Sequence, residues 1–170
     1  LFVGEENSLM GVIAVADTVK QSSKKAVEEF KKMGIEVIML TGDNIRTANA
    51  VKKQVGIDKV YAGVLPSDKE RIIREIQEQG KKVLMVGDGI NDSPALTRAD
   101  VGMAIGAGAD VAIESADTVL VKSDLKDAVT AVALSKKVMR NIKQNLFWAL
   151  IYNAVCIPVA AGVFYNATGL

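Results

Sequence analysis

The stretch VLMVGDGIND, residues 83–92, decides the fold prediction for this chain. A short apolar run that ends in a glycine-rich polar turn is typical of the carboxyl end of a buried parallel strand. Ligands of open α/β sheets bind at that edge. Asp88 and Asp92 offer hard oxygen ligands suited to Mg2+, and Asn91 can orient a phosphate or a carboxylate. The stretch therefore indicates phosphoryl transfer, which depends on positioning and on charge neutralisation.

Strand and helix patterns alternate on both sides of this stretch. Apolar runs predict strands at 9–16, 35–40, 59–62, 83–86, 101–105 and 118–121. Helical spacing of apolar residues predicts helices at 22–33, 45–55, 67–79, 93–98 and 109–115. Ser22 or Ser23 is the expected first N-cap, and the expected helix-ending residues are Gly34, Gly56 and Gly80. The alternation predicts an α/β fold, a parallel sheet with helices on both faces.

Composition excludes several classes of protein. The 170 residues include 21 Lys and Arg against 20 Asp and Glu, which argues against a nucleic-acid binder held by bulk electrostatics. The absence of His excludes a His-based triad and a His-ligated zinc site. The single Cys156 can form neither an internal disulfide nor a CxxC pair. Because the chain begins at Leu1 without a signal peptide, we expect a fragment of a longer protein.

The composition changes after Leu125. Residues 125–145 form a helical pattern that carries four basic residues, Lys136, Lys137, Arg140 and Lys143. Residues 146–164 are 19 residues without a formal charge. As a helix they would span roughly 28 Å, close to the bilayer core of about 30 Å. Trp148 and Tyr165 near the two ends suit membrane interfaces, and the basic cluster predicts that residues 1–145 are cytoplasmic. A buried core helix is the alternative interpretation of 146–164.

Two further motifs suit a phosphate ligand. Thr41-Gly42-Asp43 can bind a phosphoryl group through the threonine hydroxyl and the glycine N–H, although a plain turn with a helix N-cap explains it equally well. Lys69, in the PSDK sequence at 66–69, is either surface charge or a point charge for a phosphate. The loops at 41–44 and 87–92 both follow predicted strands, so we expect them to meet at one edge of the sheet.

These motifs together resemble the phosphotransferase site of haloacid dehalogenase-like proteins, with every part but the nucleophilic aspartate. That aspartate is expected in a D-x-D or D-K-T-G-T sequence. Asp17 follows a predicted strand but has no second acid two residues later, which disfavours it as the nucleophile. The GAGAD sequence at 106–110 matches half of a dinucleotide fingerprint but lacks its third glycine, so we interpret it as a turn before a helix.

The uncharged segment is polar in one place. Tyr152, Asn153 and Cys156 lie there, followed by Pro158. An amide in a bilayer interior is costly unless it is paired, which makes Asn153 a candidate functional residue. Cys156 is either a soft ligand for Cu(I) or a small packing residue, and we favour packing. Pro158 removes a backbone hydrogen bond and should loosen the helix.

Over nearly its whole length the chain resembles the P-type ATPases. The matching motifs are TGDN at 41–44, PSDK at 66–69, GDGINDSPAL at 87–96 and the runs at 11–17 and 104–117. The N-x6-Y-N-x4-P pattern from Asn145 to Pro158 resembles the copper(I)-transporting heavy-metal subgroup. A related copper subgroup fits less well because Ile151 stands where it has glycine. The zinc, cadmium and lead subgroup carries a lysine in this helix, which residues 146–164 lack.

The resemblance implies specific roles in phosphoryl transfer. The catalytic residues would be Thr41, Gly42, Asp43, Lys69, Asn91 and Asp92. Thr41 and Gly42 would hold phosphoryl oxygens, and Lys69 would neutralise phosphate charge. Asp88 would ligate the Mg2+ that bridges to the phosphorylated aspartate, while Asn91 and Asp92 would order that loop.

For transport, the resemblance implies that Tyr152 and Asn153 contribute to a transmembrane Cu(I) site. Asp17 would lie at the hinge to a nucleotide-binding domain. The implied ligands and partners are ATP, Mg2+, the transported Cu(I), the lipid bilayer and a copper chaperone, with no nucleic acid. The implied location is a membrane, most simply the plasma membrane.

The resemblance also implies an organisation of the chain. We expect a haloacid dehalogenase-like, Rossmann-type phosphorylation domain at 1–123, a stalk helix at 124–145, a transmembrane helix at 146–164 and the start of an extracytoplasmic loop at 165–170. The chain lacks a D-K-T-G-T nucleophile and a C-P-C metal motif, so we expect it to be inactive alone. The alternatives are a zinc or cadmium pump, a soluble phosphatase of the same fold, and a membrane-anchored binding module with a decayed site.

Overall fold

Parallel strands, most of them followed by helices, make up the first of two compact units, Leu1–Ala128 and Val129–Leu170. The computed structural model describes residues 2–5, 8–12, 18–87, 90–106 and 114–162. The strands in these ranges are β1 Phe2–Glu5, β2 Ser8–Val12, β3 Ile38–Leu40, β4 Lys59–Tyr61, β5 Leu84–Gly87, β6 Val101–Ile105 and β7 Thr118–Leu120. The α-helices are α1 Gln21–Lys32, α2 Ile45–Val55, α3 Pro66–Glu78, α4 Ser93–Arg98 and α5 Leu125–Ala160.

The strand pairing confirms the predicted parallel architecture. β3 pairs with β4, with Ile38 opposite Lys59. β5, β6 and β7 form a second group in that order, with Leu84 opposite Val101. The antiparallel hairpin of β1 and β2 was not predicted, because only one strand was expected there, at 9–16. Residues 13–16 of that prediction lie outside the described residues.

The helices cover the strands with narrow apolar faces. Ala26, Val27 and Phe30 of α1 are buried, as are Ile72 and Ile73 of α3. Their spacing of three, four or one residues places each set on one side of its helix, which is how an amphipathic helix packs on a sheet. Burial of these side chains holds the helices in place, and α3 thereby positions the residues of its first turn.

Helix ends agree with the prediction at their carboxyl termini and differ at one amino terminus. Gly56 ends α2 in the left-handed conformation, with φ at +79°, and its N–H donates to the Lys52 carbonyl. This conformation strongly favours glycine. The expected capping by Ser22 or Ser23 is wrong: α1 begins at Gln21 after Lys20, without a side-chain cap, so both serines lie inside the first turn.

Asp100 joins three segments at the amino-terminal ends of β5 and β6. Its carboxylate accepts hydrogen bonds from Lys82 Nζ at 2.7 Å, from Gln77 Nε2 at 3.0 Å and from the Val83 N–H at 3.0 Å. These three donors, Lys82 first among them, hold the pKa of Asp100 well below its usual range. The carboxylate therefore fastens α3 to the strands that lead to the polar loops.

Asn in place of Asp100 should make the stability of this unit less sensitive to acid. Because the folded-state pKa is lowered, the Asp100 contribution is present above the unfolded pKa of about 3.9 and is lost as the pH falls below it. We expect Asp100→Asn to be less stable than the wild type at neutral pH, with the difference shrinking below about pH 4. Urea unfolding across pH measures this. A Glu28→Gln control on the exposed side of α1 should show no such trend, and a pH-independent difference for Asp100→Asn would contradict the explanation.

α5 is one continuous helix of 36 residues from Leu125 to Ala160, with Pro158 inside it. Many of its large apolar side chains are exposed, including Leu146, Phe147, Trp148 and Leu150. Within the described ranges, no helix combines the length and the apolar character that crossing a bilayer requires. The span expected at 146–164 is thus not confirmed, and its last two residues lie outside the described ranges together with 165–170.

Candidate functional site

The loop after β3 is closed by the side chain of Thr41. Its hydroxyl donates to Asp43 Oδ2 at 2.9 Å and accepts from the Asp43 N–H at 3.1 Å. Gly42, between them, is exposed, and a Cβ there would meet only the Val64 carbonyl at 3.7 Å. Thr41 and Gly42, predicted to hold phosphoryl oxygens, thus form one compact turn with Asp43 at the carboxyl end of a parallel strand.

Asn44, the next residue, is the N-cap of α2. Its Oδ1 accepts from the Arg46 and Thr47 N–H groups at 3.0 Å each. The alternative interpretation of this motif, a turn with a helix N-cap, therefore accounts for Asn44. That interpretation does not account for Thr41, Gly42 and Asp43, which precede the helix.

The backbone of Gly63 and Val64, after β4, holds this loop, a contact that the sequence pattern did not predict. The Gly63 N–H donates to the Asp43 carbonyl at 2.8 Å, and the Val64 N–H donates to the Thr41 carbonyl at 3.0 Å. Gly63 has φ at +66°, which strongly favours glycine. Gly63, three residues before the PSDK motif, was the feature of the sequence that could have indicated this contact. The loops after β3 and β4 are consequently fastened to each other.

Lys69 and Asp92 form a largely buried ion pair. Lys69 lies in the first turn of α3, and its Nζ is 2.6 Å from Asp92 Oδ1. The side chains are 17% and 10% exposed respectively. Surface charge, one of the two interpretations of Lys69, is therefore wrong. A lysine and a carboxylate are thus paired at the end of β5 with little exposure to water.

Gly87, the last residue of β5, lies directly against the carboxylate of Asp92. A Cβ on Gly87 would be 2.7 Å from Asp92 Oδ2 and 2.8 Å from the Asp92 Cβ. A short 3-10 turn, Ile90–Asp92, returns the chain so that Asp92 folds back over the strand end. Gly102 in β6 likewise allows α4 to lie close to the strand, because a Cβ there would be 2.6 Å from the Leu96 carbonyl oxygen. These two glycines set the position of Asp92 and the helix after it.

The other predicted residues of this loop are only partly described. Asn91 is exposed at the edge of the 3-10 turn. Asp88, predicted to ligate Mg2+, lies outside the described residues, as do Gly89, Asp17 and residues 107–110 of the GAGAD sequence. The structure therefore brings Lys69 to Asp92 and joins Thr41, Gly42 and Asp43, and it leaves the role of Asp88 a prediction.

The loop after β3 and the loop after β5 each carry oxygen donors of the kind that Mg2+ prefers. Thr41, Asp43 and Asn91 present hydroxyl, carboxylate and amide oxygens, the ligand types that this ion prefers. No group of three or more His, Cys, Asp or Glu side chains that could hold a metal ion occurs among the described residues. One buried side-chain oxygen next to this loop, Ser93 Oγ, has no hydrogen-bond partner within the described ranges.

Tyr152 and Asn153, the predicted Cu(I) residues, lie on α5 in the second unit. Both are exposed, Tyr152 with 69% of its surface. Cys156, one turn later, is half-buried. Asn153 and Cys156 are three residues apart and so share a helix face.

Comparisons with known proteins extend these observations. Residues 2–100 match the family model for haloacid dehalogenase-like hydrolases. The chain is 56% identical over 164 residues to human Copper-transporting ATPase 2, which covers 96% of this chain and 11% of that protein. It is 51% identical over 170 residues to the probable copper-exporting P-type ATPase of Archaeoglobus fulgidus, covering 100% of this chain and 21% of that protein. The chain thus spans about a tenth to a fifth of the curated relatives it matches.

Solved structures give the same picture of the fold. A zinc-transporting PIB-type ATPase in an E2·Pi state has a TM-score of 0.85 at 35% identity, over 95% of this chain and 26% of that chain. The catalytic domain of a CPx-ATPase has a TM-score of 0.63 at 36% identity, over 69% of this chain and 46% of that chain. The two-unit chain is therefore similar to a contiguous part of larger ATPases.

Proposed function

Because the chain belongs to the haloacid dehalogenase-like hydrolases, and within them to the P-type ATPases, we propose that it is a segment of an ATP-driven copper(I) transporter. In that transporter it would complete the phosphorylation site and continue from it through α5. The observation that carries the proposal is the buried Lys69–Asp92 pair at the end of β5, in a chain at least 51% identical to copper-transporting relatives.

Each part of the site has a task in phosphoryl transfer. An aspartate outside this chain attacks the γ-phosphorus of ATP, the bond to the β-phosphate oxygen breaks, and ADP leaves; water later hydrolyses the aspartyl phosphate. Lys69 faces the growing negative charge, and the Gly42 N–H donates a hydrogen bond to a phosphoryl oxygen. The Thr41 hydroxyl would exchange its hydrogen bond to Asp43 for one to the phosphoryl group. Asp88 would hold Mg2+, which neutralises phosphate charge when bound. Asp92 keeps the Lys69 ammonium in position.

The strand that carries the attacking aspartate would lie between β3 and β5. β3 and β5 each end a group of parallel strands among the described residues, and their apolar side chains are half-exposed although strands of parallel sheets are normally buried. Glu36 lies just before β3 and Lys81 just before β5, and their ion pair, with Lys81 Nζ 2.6 Å from Glu36 Oε2, links the beginnings of the two strands. A further parallel strand between β3 and β5 would bury both edges and deliver its carboxyl end beside Thr41 and Asp92.

Copper(I) is the cargo that the chain supports best. Identity to copper-transporting relatives is 51–56%, against 35% to the zinc-transporting structure. Residues 146–164 contain no lysine. Tyr152 and Asn153 would supply part of the Cu(I) site, and a copper chaperone would deliver the ion. A zinc or cadmium pump is the second candidate, because the catalytic residues alone do not distinguish the two cargoes.

The carboxyl-terminal part of α5 would belong to the membrane domain of the transporter. The support is the uncharged sequence from 146 to 164 and the exposed side chains of Leu146, Trp148 and Leu150. Exposed apolar side chains in such a row require a covering of lipid or of neighbouring helices. Residues 1–145 would then face the cytoplasm, which holds the ATP.

In the full-length parent in liposomes, Cu(I) and Ag(I) should stimulate phosphoenzyme formation from ATP, and Zn(II) should not. Asn153→Ala should remove most of this stimulation, because the Cu(I) site would lose a ligand or a positioning amide. The measurement is acid-stable phosphoenzyme after chelation and addition of each metal. Asn141→Ala, also on α5 but outside the uncharged segment, is the matched control and should behave as wild type.

Stimulation by Zn(II) instead of Cu(I) would replace copper by a divalent cargo while retaining the ATPase. A parent that forms no phosphoenzyme with any metal would contradict the ATPase proposal as a whole.

A further inference from the structure

One side of α5 carries a row of basic residues that the proposed catalytic and transport functions do not use. Lys136, Arg140 and Lys143 follow each other at intervals of four and three residues, and Phe147 continues the row. This spacing puts all of them on one helix face. They line a shallow groove of about 560 Å3, which we call the basic groove.

Basic residues outnumber acidic ones along the helix that carries the basic groove. From 128 to 162 the sequence has four basic residues and no Asp or Glu. Arg140 and Lys143 are exposed. Lys136 and Lys143 are seven residues apart, roughly 10 Å along the helix, so their side chains and that of Arg140 can converge on one anion. The groove therefore presents a concentrated positive charge to its surroundings.

Exposed apolar side chains lie among the basic residues, as at Met139 and Ile142, and beyond Lys143 the helix continues without charge. Phe147 lies in the groove, and its ring meets that of Trp148 edge to face with centroids 5.7 Å apart. Leu146, Leu150 and the apolar residues after them are exposed. A ligand that fits this surface has a negatively charged head and an apolar tail, in that order along the helix.

We propose that the basic groove binds the phosphate of an anionic phospholipid headgroup. Arg140 would contact two phosphate oxygens with its planar guanidinium, Lys136 and Lys143 would add point charges, and Phe147 would contact the start of the acyl chains. The inference rests on the proposed membrane association of α5. It adds a ligand site at the membrane surface that is separate from the phosphorylation site and from Tyr152 and Asn153.

Lipid retained by the full-length transporter in detergent tests this site. Native mass spectrometry would compare phosphatidylglycerol with phosphatidylcholine on the wild type, on the double variant Arg140→Gln with Lys143→Gln, and on Lys137→Gln. Lys137 has the same charge and adjoins Lys136 but does not line the groove. The double variant should bind phosphatidylglycerol roughly 30-fold more weakly, since each basic residue near an anionic lipid surface contributes roughly fivefold in affinity. Lys137→Gln should stay near wild type.

Several results would overturn the proposal. One is an equal loss of phosphatidylglycerol affinity in Lys137→Gln, and another is an unchanged affinity in the double variant. A third is displacement of phosphatidylglycerol by inorganic phosphate at similar concentration, which would make a free anion the ligand. Phosphoenzyme formation with Cu(I), measured on the same samples, separates the two proposals. If lipid binding depends on the groove but no phosphoenzyme forms with Cu(I), the copper ATPase proposal is contradicted and the lipid-site proposal is retained.

Discussion

Methionine in place of Lys69 should destabilise the catalytic domain by about 3–5 kcal/mol and slow phosphoenzyme formation by roughly 100- to 1000-fold. The Asp92 side chain is 10% exposed and its carboxylate is 2.6 Å from the lysine ammonium, so the substitution would leave this carboxylate without its counter-ion. The loss in rate has a different cause, because the phosphoryl group would no longer face a cation. Urea unfolding of the soluble catalytic domain and phosphoenzyme assays on the full-length parent measure the two effects separately.

A double variant distinguishes the two effects further. Adding Asp92→Asn to Lys69→Met removes the unpaired charge, so stability should return in part while phosphoryl transfer stays lost. Lys81→Met is the control, since its ion pair with Glu36 is 51% and 45% exposed and should contribute no more than about 1 kcal/mol. A Lys69→Met domain as stable as the Lys81→Met domain would show that the buried pair does not stabilise the loop.

A single methyl group at Gly87 should also destabilise the site, although less than the loss of Lys69. Its Cβ would lie 2.7 Å from Asp92 Oδ2, well inside van der Waals contact, so Asp92 and the turn that carries it must move. We expect a loss of about 1–3 kcal/mol in unfolding free energy for Gly87→Ala. Phosphoenzyme formation should fall further than the fraction of folded protein does, because Asp92 would no longer hold Lys69 in place.

Gly11→Ala is the matched control for this substitution. Gly11 also lies in a strand, but a Cβ there meets nothing within 4 Å among the described residues. It should therefore leave both stability and phosphoenzyme formation near wild type. If Gly87→Ala folds and forms phosphoenzyme normally, the close contact between Gly87 and Asp92 does not constrain the site.

The sequence predicted most elements of the first unit because their patterns are local. Helices α2 and α3 have apolar residues at regular spacing and are followed by glycines with positive φ, and both were predicted to within a residue or two. The hairpin strand β1 was missed, because its pairing with β2 depends on a partner strand and leaves only a weak trace in four residues.

The site was predictable in its residue types and not in its contacts. Periodicity could place Lys69 at a helix start and Asp92 after a strand, but the two are 23 residues apart and their pairing depends on how α3 packs. The fastening of the Thr41 loop by Gly63 and Val64 is a backbone interaction, which side-chain identity hardly encodes. The role of Asp88 stays a prediction.

The open edges of β3 and β5 have a consequence for how the protein is made. A nascent or truncated chain with two unpaired parallel strands offers ready partners to any other extended segment, including a second copy of itself. Closing such a sheet requires a strand from distant sequence, and long-range strand pairing of this kind is slow. Whichever of the two, this segment or its missing strand, is synthesised first keeps unpaired strand edges until the other arrives, and this interval is the period in which we expect the transporter to depend most on chaperones.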